Sequence, residues 1–352
     1  MVKWKLRLPF SKSASMRRTS LILLVGILSS AFAASLGTYT TPRPGVCYSP
    51  FHLPEYPLID TESSDELPSG IDTDFAQMAE LGVTTVRTFY STYHGHDVAP
   101  IAAKYGLQLH LGVFMTTEDW YQKQVNSAVL AVQNYSATIK SILVGNENIK
   151  SEDPFNASFI ASQINSIRLR IKNETGRVVP VGTVQRTPDW LQDDPSILAM
   201  ADASDVIGVN IYPFYDASFD PFQPQASLNG AWNAMAEKFG GDQKLLITET
   251  GWPTGGTPTV IAPNNTPSFN NAHLYYNAFM SWMQTHGRQG DVWYSMYDPR
   301  PEEKFDFDVE YHFGILTHDR QLKTKTTTPQ PTPAPTPTPK PSEANTYSKP
   351  NC

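Results

Sequence analysis

Eight short runs rich in aliphatic and β-branched residues recur between residues 44 and 320: GVCYSPF (45–51), VTTVRTFY (83–90), LQLHLGVF (107–114), IKSILVGN (139–146), VVPVGTV (178–184), DVIGVNI (205–211), KLLITE (244–249) and DVWYSMY (291–297). Each is the length of a strand buried on both faces. Between them the apolar positions take helical spacing. Ile71, Phe75, Met78 and Leu81 precede Gly82 on one helix face, and Ile160, Ile164, Ile167 and Ile171 trace another. Strand and helix are thus expected to alternate eight times, the pattern of an α/β chain folded as a (β/α)8 TIM barrel. An open doubly wound sheet would offer fewer strands and a glycine-rich phosphate loop after the first, and no such loop follows GVCYSPF.

Both ends depart from this pattern. Lys3, Lys5, Arg7, Lys12, Arg17 and Arg18 precede an apolar run of 14 residues, Leu21 to Ala34. That run is short of the roughly 20 residues needed to span a bilayer and contains the small-x-small triplet Ala31-Phe32-Ala33. Residues 1–33 are therefore expected to be a secretory signal cut after Ala33, the alternative being an uncleaved anchor. From Thr326 to Pro341 the chain reads TTTPQPTPAPTPTPKP, with no side chain large enough to anchor a core. The expected organisation is a signal peptide (1–33), a barrel (34–320) and a Thr/Pro-rich tail (321–352) that serves as a linker or a wall-embedded stalk. After signal cleavage no stable membrane anchor is expected.

Composition narrows the partner. With 352 residues, 40% of them apolar, the chain can bury one large barrel core, and a formal net charge of −7 disfavours nucleic acid, whose binders need a concentrated basic face. Cys47 and Cys352 stand far apart, too few for a disulfide framework or a cysteine metal site. Cys47 fits a small buried hydrophobe in the first strand. Sequons at Asn134, Asn156, Asn173 and Asn264 agree with export, while Asn265 is excluded because Pro267 follows Thr266. A secreted monomer, free or associated with a cell wall, is the expectation.

In a barrel the chemistry collects at the C-terminal ends of the strands. The fourth run climbs through Ile142, Leu143 and Val144 into Gly145-Asn146-Glu147, and the seventh through Leu245, Leu246 and Ile247 into Thr248-Glu249. Packing requires neither carboxylate. Two carboxylates converging on one barrel mouth are what glycoside hydrolysis needs: one acid to protonate the leaving oxygen and one carboxylate to attack the anomeric carbon, about 5–5.5 Å apart in a retaining enzyme. Glu147 is assigned as acid/base and Glu249 as nucleophile. The mechanism requires no cofactor and no metal, and His52, His94, His96, His110 and His312 lack the paired spacing of a zinc site.

VGNE at 144–147 and TETGWP at 248–253, in this order on strands four and seven, resemble glycoside hydrolase family 17, the family of β-1,3-glucanases of plants and fungi. In that family the first Glu is the acid/base and the second the nucleophile, matching Glu147 and Glu249. VNIYPF (209–214) resembles its sixth-strand motif and implies substrate contacts for Asn210 and Tyr212. EYHFGIL (310–316) resembles its closing E-x-x-F-G segment and puts Glu310 at the acidic position. The resemblance covers roughly residues 45–316 and implies β-1,3-glucan as substrate. Two departures stand out. The family's second-strand R-x-Y becomes Arg87-Thr88-Phe89, with Tyr90 one place late, and its F-D-E after the eighth strand becomes Tyr297-Asp298-Pro299, so that the acid is either supplied by Glu302 or Glu303 or absent. Sugars also require flat rings for their C–H faces. Trp252, beside the nucleophile, is expected in the cleft, as are Tyr90 and Tyr212, with Asn146 adding an amide; Tyr215 is a further candidate, and Phe214 is expected in the core. Hydrolysis is the first reading. A glucanosyltransferase using the same site and a non-catalytic glucan-binding protein are the alternatives, the last disfavoured by the intact carboxylate pair.

Overall fold

The computed structural model describes residues 44–59, 62–149 and 154–324. The expected signal peptide and the Thr/Pro run from Thr326 to Pro341 lie outside the described residues. Each of the eight apolar runs supplies one barrel strand: β1 (Gly45–Tyr48), β2 (Thr85–Thr88), β3 (Gln108–Val113), β4 (Ile139–Val144), β5 (Val181–Arg186), β6 (Val206–Asn210), β7 (Leu245–Glu249) and β8 (Val292–Trp293). All neighbours pair parallel, in the order β8-β1-β2-β3-β4-β5-β6-β7. The seam between β7 and β8 carries no ladder. It is bridged by Tyr294 N donating to Thr250 O (2.8 Å) and by Ile247 N donating to Asp291 Oδ1 (2.9 Å), with Arg288 holding Asp291 at 2.8 Å. This is a (β/α)8 TIM barrel.

Strands so closely wound leave no room for a side chain at some crossings. A Cβ on Gly182 of β5 would fall 1.8 Å from the carbonyl oxygen of Val206 on β6, so only glycine fits there.

Helices α1 (Leu67–Glu80), α2 (Ala99–Lys104), α3 (Tyr121–Tyr135), α4 (Ala157–Thr175), α5 (Thr187–Trp190), α6 (Pro195–Ala203), α7 (Ala226–Lys238) and α8 (Phe269–Thr285) follow strands one to seven. The predicted faces hold: Ile71, Phe75 and Met78 are buried on α1, and Ile160, Ile164, Ile167 and Ile171 on α4. Leu81 lies just past the end of α1 and caps it. The strict eightfold alternation fails once. After β8 the described residues hold only a 3-10 turn, Asp308–His312, because the 298–312 stretch is rich in Pro, Gly-free turns and charge and has no helical apolar stripe. The chain instead returns as an extended segment, with Leu316 bridging Tyr297 and Leu322. It is buttoned to α1 by a buried carboxylate: Asp74 accepts from Arg320 (2.7 Å), from Tyr48 (2.7 Å) and from His52 (2.9 Å). The packed body runs past the expected boundary at 320, since Lys323 is buried against Asp298 (2.7 Å) and Thr254 (2.8 Å).

His110 is a core residue, with Nδ1 2.8 Å from Ser141 Oγ. Burial holds its imidazole down at about 3, and burial together with nearby Lys323 holds His312 down at about 4, against an ordinary 6.5. Below about pH 6.5 the unfolded chain takes up protons on both rings that the folded chain refuses until those lower values, so stability falls with acidification across that window. The urea midpoint is expected to drop between about pH 7 and about pH 4.5, and to drop less in His110→Gln. A midpoint with the same pH dependence in both proteins would contradict this.

Candidate active site

The end of β4 is shaped to project two side chains. Gly145 (φ 75°) and Glu147 (φ 53°) both sit in the left-handed region, and Asn148 Oδ1 accepts from the Asn146 amide (2.7 Å). A left-handed Glu is costly, of order 1 kcal/mol or more, and persists only where its surroundings fix it. Here the Glu147 amide donates across to Val184 O on β5 (2.9 Å), anchoring the turn to the next strand. The result turns Asn146 and Glu147 into the barrel mouth. Glu249 needs no such device, because it is the last residue of β7.

One hydrogen-bonded network joins these groups. Arg87 on β2, 1% exposed, donates Nη1 to Glu249 Oε1 (2.5 Å) and to Thr248 O (3.0 Å), and Nη2 to Asn146 Oδ1 (2.7 Å). Tyr212 donates to the other oxygen of Glu249 (2.7 Å). Asn210 donates to Glu147 Oε1 (2.8 Å) and to Asn146 Oδ1 (3.3 Å), and its own Oδ1 accepts from Thr248 Oγ1 (2.8 Å). Residues on or just past strands β2, β4, β6 and β7 thus join in one network. Burial opposes the Arg87 charge, but Glu249 and Cys47 beside it overcome that and raise its affinity for the proton. Burial and the Glu249 charge push the Tyr212 phenol well above its ordinary range, which keeps it a donor at any physiological pH.

Glu147, Glu249, Asn210, Tyr212, Tyr90 and Glu310 all line one cleft of about 920 Å3. That is ample for a carbohydrate chain of a few rings. Asn146 lies just behind them in the network. Glu310 accepts from Tyr215 (2.9 Å), and Glu303 supplies a carboxylate to the cleft, pushed up by burial despite Arg300 at 3.4 Å, whereas Glu302 is exposed outside it. Trp252 is the correction. It is 1% exposed, its indole N–H donates to Thr266 O (3.1 Å), and its ring packs on Phe214 (5.1 Å) and Phe219 (4.7 Å), so it supports the β7 loop from behind and presents no face to a sugar. Phe214 is fully buried, as expected.

The residue that sequence reading undervalued is Arg87, noted only as the neighbour of a displaced tyrosine. The signal was available: a lone Arg inside VTTVRTF cannot be buried without a carboxylate partner. Its plane is held by the Phe89 ring, 4.6 Å from Cζ, and by the Cys47 thiol behind it (3.8 Å).

The BtgE/BtgC glycoside hydrolase domain matches residues 45–314, the whole barrel. The chain belongs to this glycoside hydrolase family. The resemblance to glycoside hydrolase family 17 is borne out. A glucan 1,3-beta-glucosidase of Candida albicans is 29% identical over 251 residues, covering 64% of this chain and 76% of that protein. Among solved structures, a glycoside hydrolase family 17 beta-1,3-glucanosyltransferase from Rhizomucor miehei superposes with a TM-score of 0.62 at 18% identity, covering 80% of this chain and 95% of that one. An endo-laminarinase from Formosa superposes at 0.64 with 16% identity, covering 81% and 85%. At such identities the structural likeness speaks for the fold.

The network makes a prediction for this glycosidase. Arg87→Lys keeps the charge but cannot reach Glu249 and Asn146 together, so kcat/KM should fall about 100-fold. Tyr212→Phe removes one hydrogen bond to a carboxylate and should cost about 10- to 100-fold. Steady-state kinetics with denaturation curves for each variant check this, and wild-type turnover in Arg87→Lys would contradict it.

Proposed function

We propose that the protein is a secreted, retaining glycosidase that hydrolyses β-1,3-glucan, with Glu249 as nucleophile and Glu147 as acid/base. The observation that carries the reading is two carboxylates from two strand ends meeting in one cleft: Glu249 has both oxygens fixed by donors, Arg87 and Tyr212, and Glu147 accepts from Asn210. In the first step a Glu249 oxygen attacks the anomeric carbon as the glycosidic C–O bond breaks, and Glu147 gives its proton to the departing oxygen. In the second, Glu147 takes a proton from water, whose oxygen displaces Glu249 and releases the sugar with its original configuration. The developing charge on the Glu249 oxygens during the second step meets Arg87 and Tyr212, donors already in place.

The β-1,3 linkage is supported by the relatives carrying the name glucan 1,3-beta-glucosidase. Export is supported by the basic leader and apolar run ahead of the barrel and by the sequons, since Asn134, Asn156, Asn173 and Asn264 are all exposed. A wall or extracellular location, with a mature N-terminus at Ala34, follows from that reading. If a second glucan rather than water displaces Glu249, the same site is a glucanosyltransferase.

Reduced laminari-oligosaccharides incubated with the secreted protein and followed by mass separate these outcomes. Shorter products only, abolished in Glu249→Gln and in Glu147→Gln, are expected. Products longer than the substrate would mean that transfer dominates, and an inert wild-type protein would contradict both.

A further inference from the structure

Tyr90, just past β2, lines the cleft, and two further rings that are not part of that lining pack beside it. Phe114, the residue after β3, stacks on Tyr90 with centroids 4.5 Å apart and planes within 3°. Trp120, immediately before α3, lies 5.7 Å from Phe114 at 20° and 6.2 Å from Tyr90 at 22°. The three planes are nearly parallel, and all three side chains are partly exposed on the catalytic face of the barrel. Tyr90 is steadied from behind by buried Tyr93 (5.0 Å). Packing does not call for Trp120, since α3 docks through Val125, Val129 and Val132, all buried. Exposed Glu118 and Asp119 immediately precede it in the chain, carboxylates able to accept from hydroxyl groups. A flat apolar ring face with polar partners near it is the surface that a pyranose ring requires.

We infer that Tyr90, Phe114 and Trp120 form an outer platform for a glucosyl unit of the substrate chain beyond the cleft, and so set the preference for longer chains. The inference rests on the β-glucan reading above. Because the platform is continuous with the cleft through Tyr90, its occupant is the same chain that the carboxylates cut. It contributes binding and takes no part in bond breaking, so its effect appears in KM for long substrates and leaves kcat for short ones unchanged.

The test compares laminarihexaose with laminaritriose in the wild type, Trp120→Ala and Trp120→Phe. Trp120→Ala should lose about tenfold in kcat/KM on the hexaose, through KM, and nothing on the triose, with Trp120→Phe recovering most of the loss. Equal losses on both lengths, or none on either, would overturn the platform. Should Trp120→Ala fail to fold, Trp120→Leu keeps the apolar bulk without the flat face and must show the same length dependence. Tryptophan fluorescence during titration with soluble laminarin reads binding apart from turnover. A wild type that binds but does not cut overturns the hydrolytic reading alone, and the platform then stands or falls on weakened binding in Trp120→Ala. A wild type that binds no β-glucan chain overturns both.

Discussion

A buried arginine facing a buried glutamate organises the mouth of this barrel. Arg87 and Glu249 come from β2 and β7, on different sides of the barrel, and neither could be buried alone, since an isolated charge in the interior costs several kcal/mol. Paired at 2.5 Å they are tolerated, and the remaining donors of the guanidinium then dictate what surrounds them. Asn146 must offer its oxygen to Nη2, Thr248 its carbonyl to Nη1, and the left-handed turn at Gly145–Glu147 follows from the need to bring Asn146 to that point. Glu147 reaches the cleft as a consequence of where Asn146 has to be.

The barrel supplies the rigidity that this arrangement needs. Strand ends are fixed by parallel ladders, on both sides for β2, β4 and β6 and on the β6 side for β7, so side chains from these strands can meet without a mobile loop between them. The weak point is the β7–β8 seam, directly beside Glu249. There a side-chain bridge through Asp291 and Arg288 and a single backbone bond at Tyr294 do the work of a ladder. The extended return of residues 313–323 is tied to α1 through Asp74 and Arg320, and among the described residues it stands where a helix would follow β8.

Much of this was legible in the chain. The eight apolar runs gave all eight strands because a strand buried on both faces is written as continuous β-branched sequence, and the two strand-end glutamates stood out because nothing apolar explains them. Helix α4 was legible through its isoleucine stripe. Three things were not. That no α-helix follows β8 among the described residues depended on a tertiary alternative, a carboxylate on α1 waiting for Arg320, which has no local signature. The depth of Trp252 depended on Phe214 and Phe219 arriving from the preceding loop, so adjacency to Glu249 misled. The aromatic platform joins Tyr90 to rings 24 and 30 positions further along the chain, whose parallel planes no periodicity encodes, although Tyr90 itself was visible as a displaced ring.

The account turns on which carboxylate becomes bonded to sugar. A 2-deoxy-2-fluoro-β-glucosyl fluoride, in which the fluorine slows the second step more than the first, allows the intermediate to accumulate and be weighed. Intact protein heavier by one fluoroglucosyl unit, with the adduct on the peptide carrying Glu249, is the predicted result. Turnover with no adduct, or an adduct on Glu147, would contradict the assignment of roles.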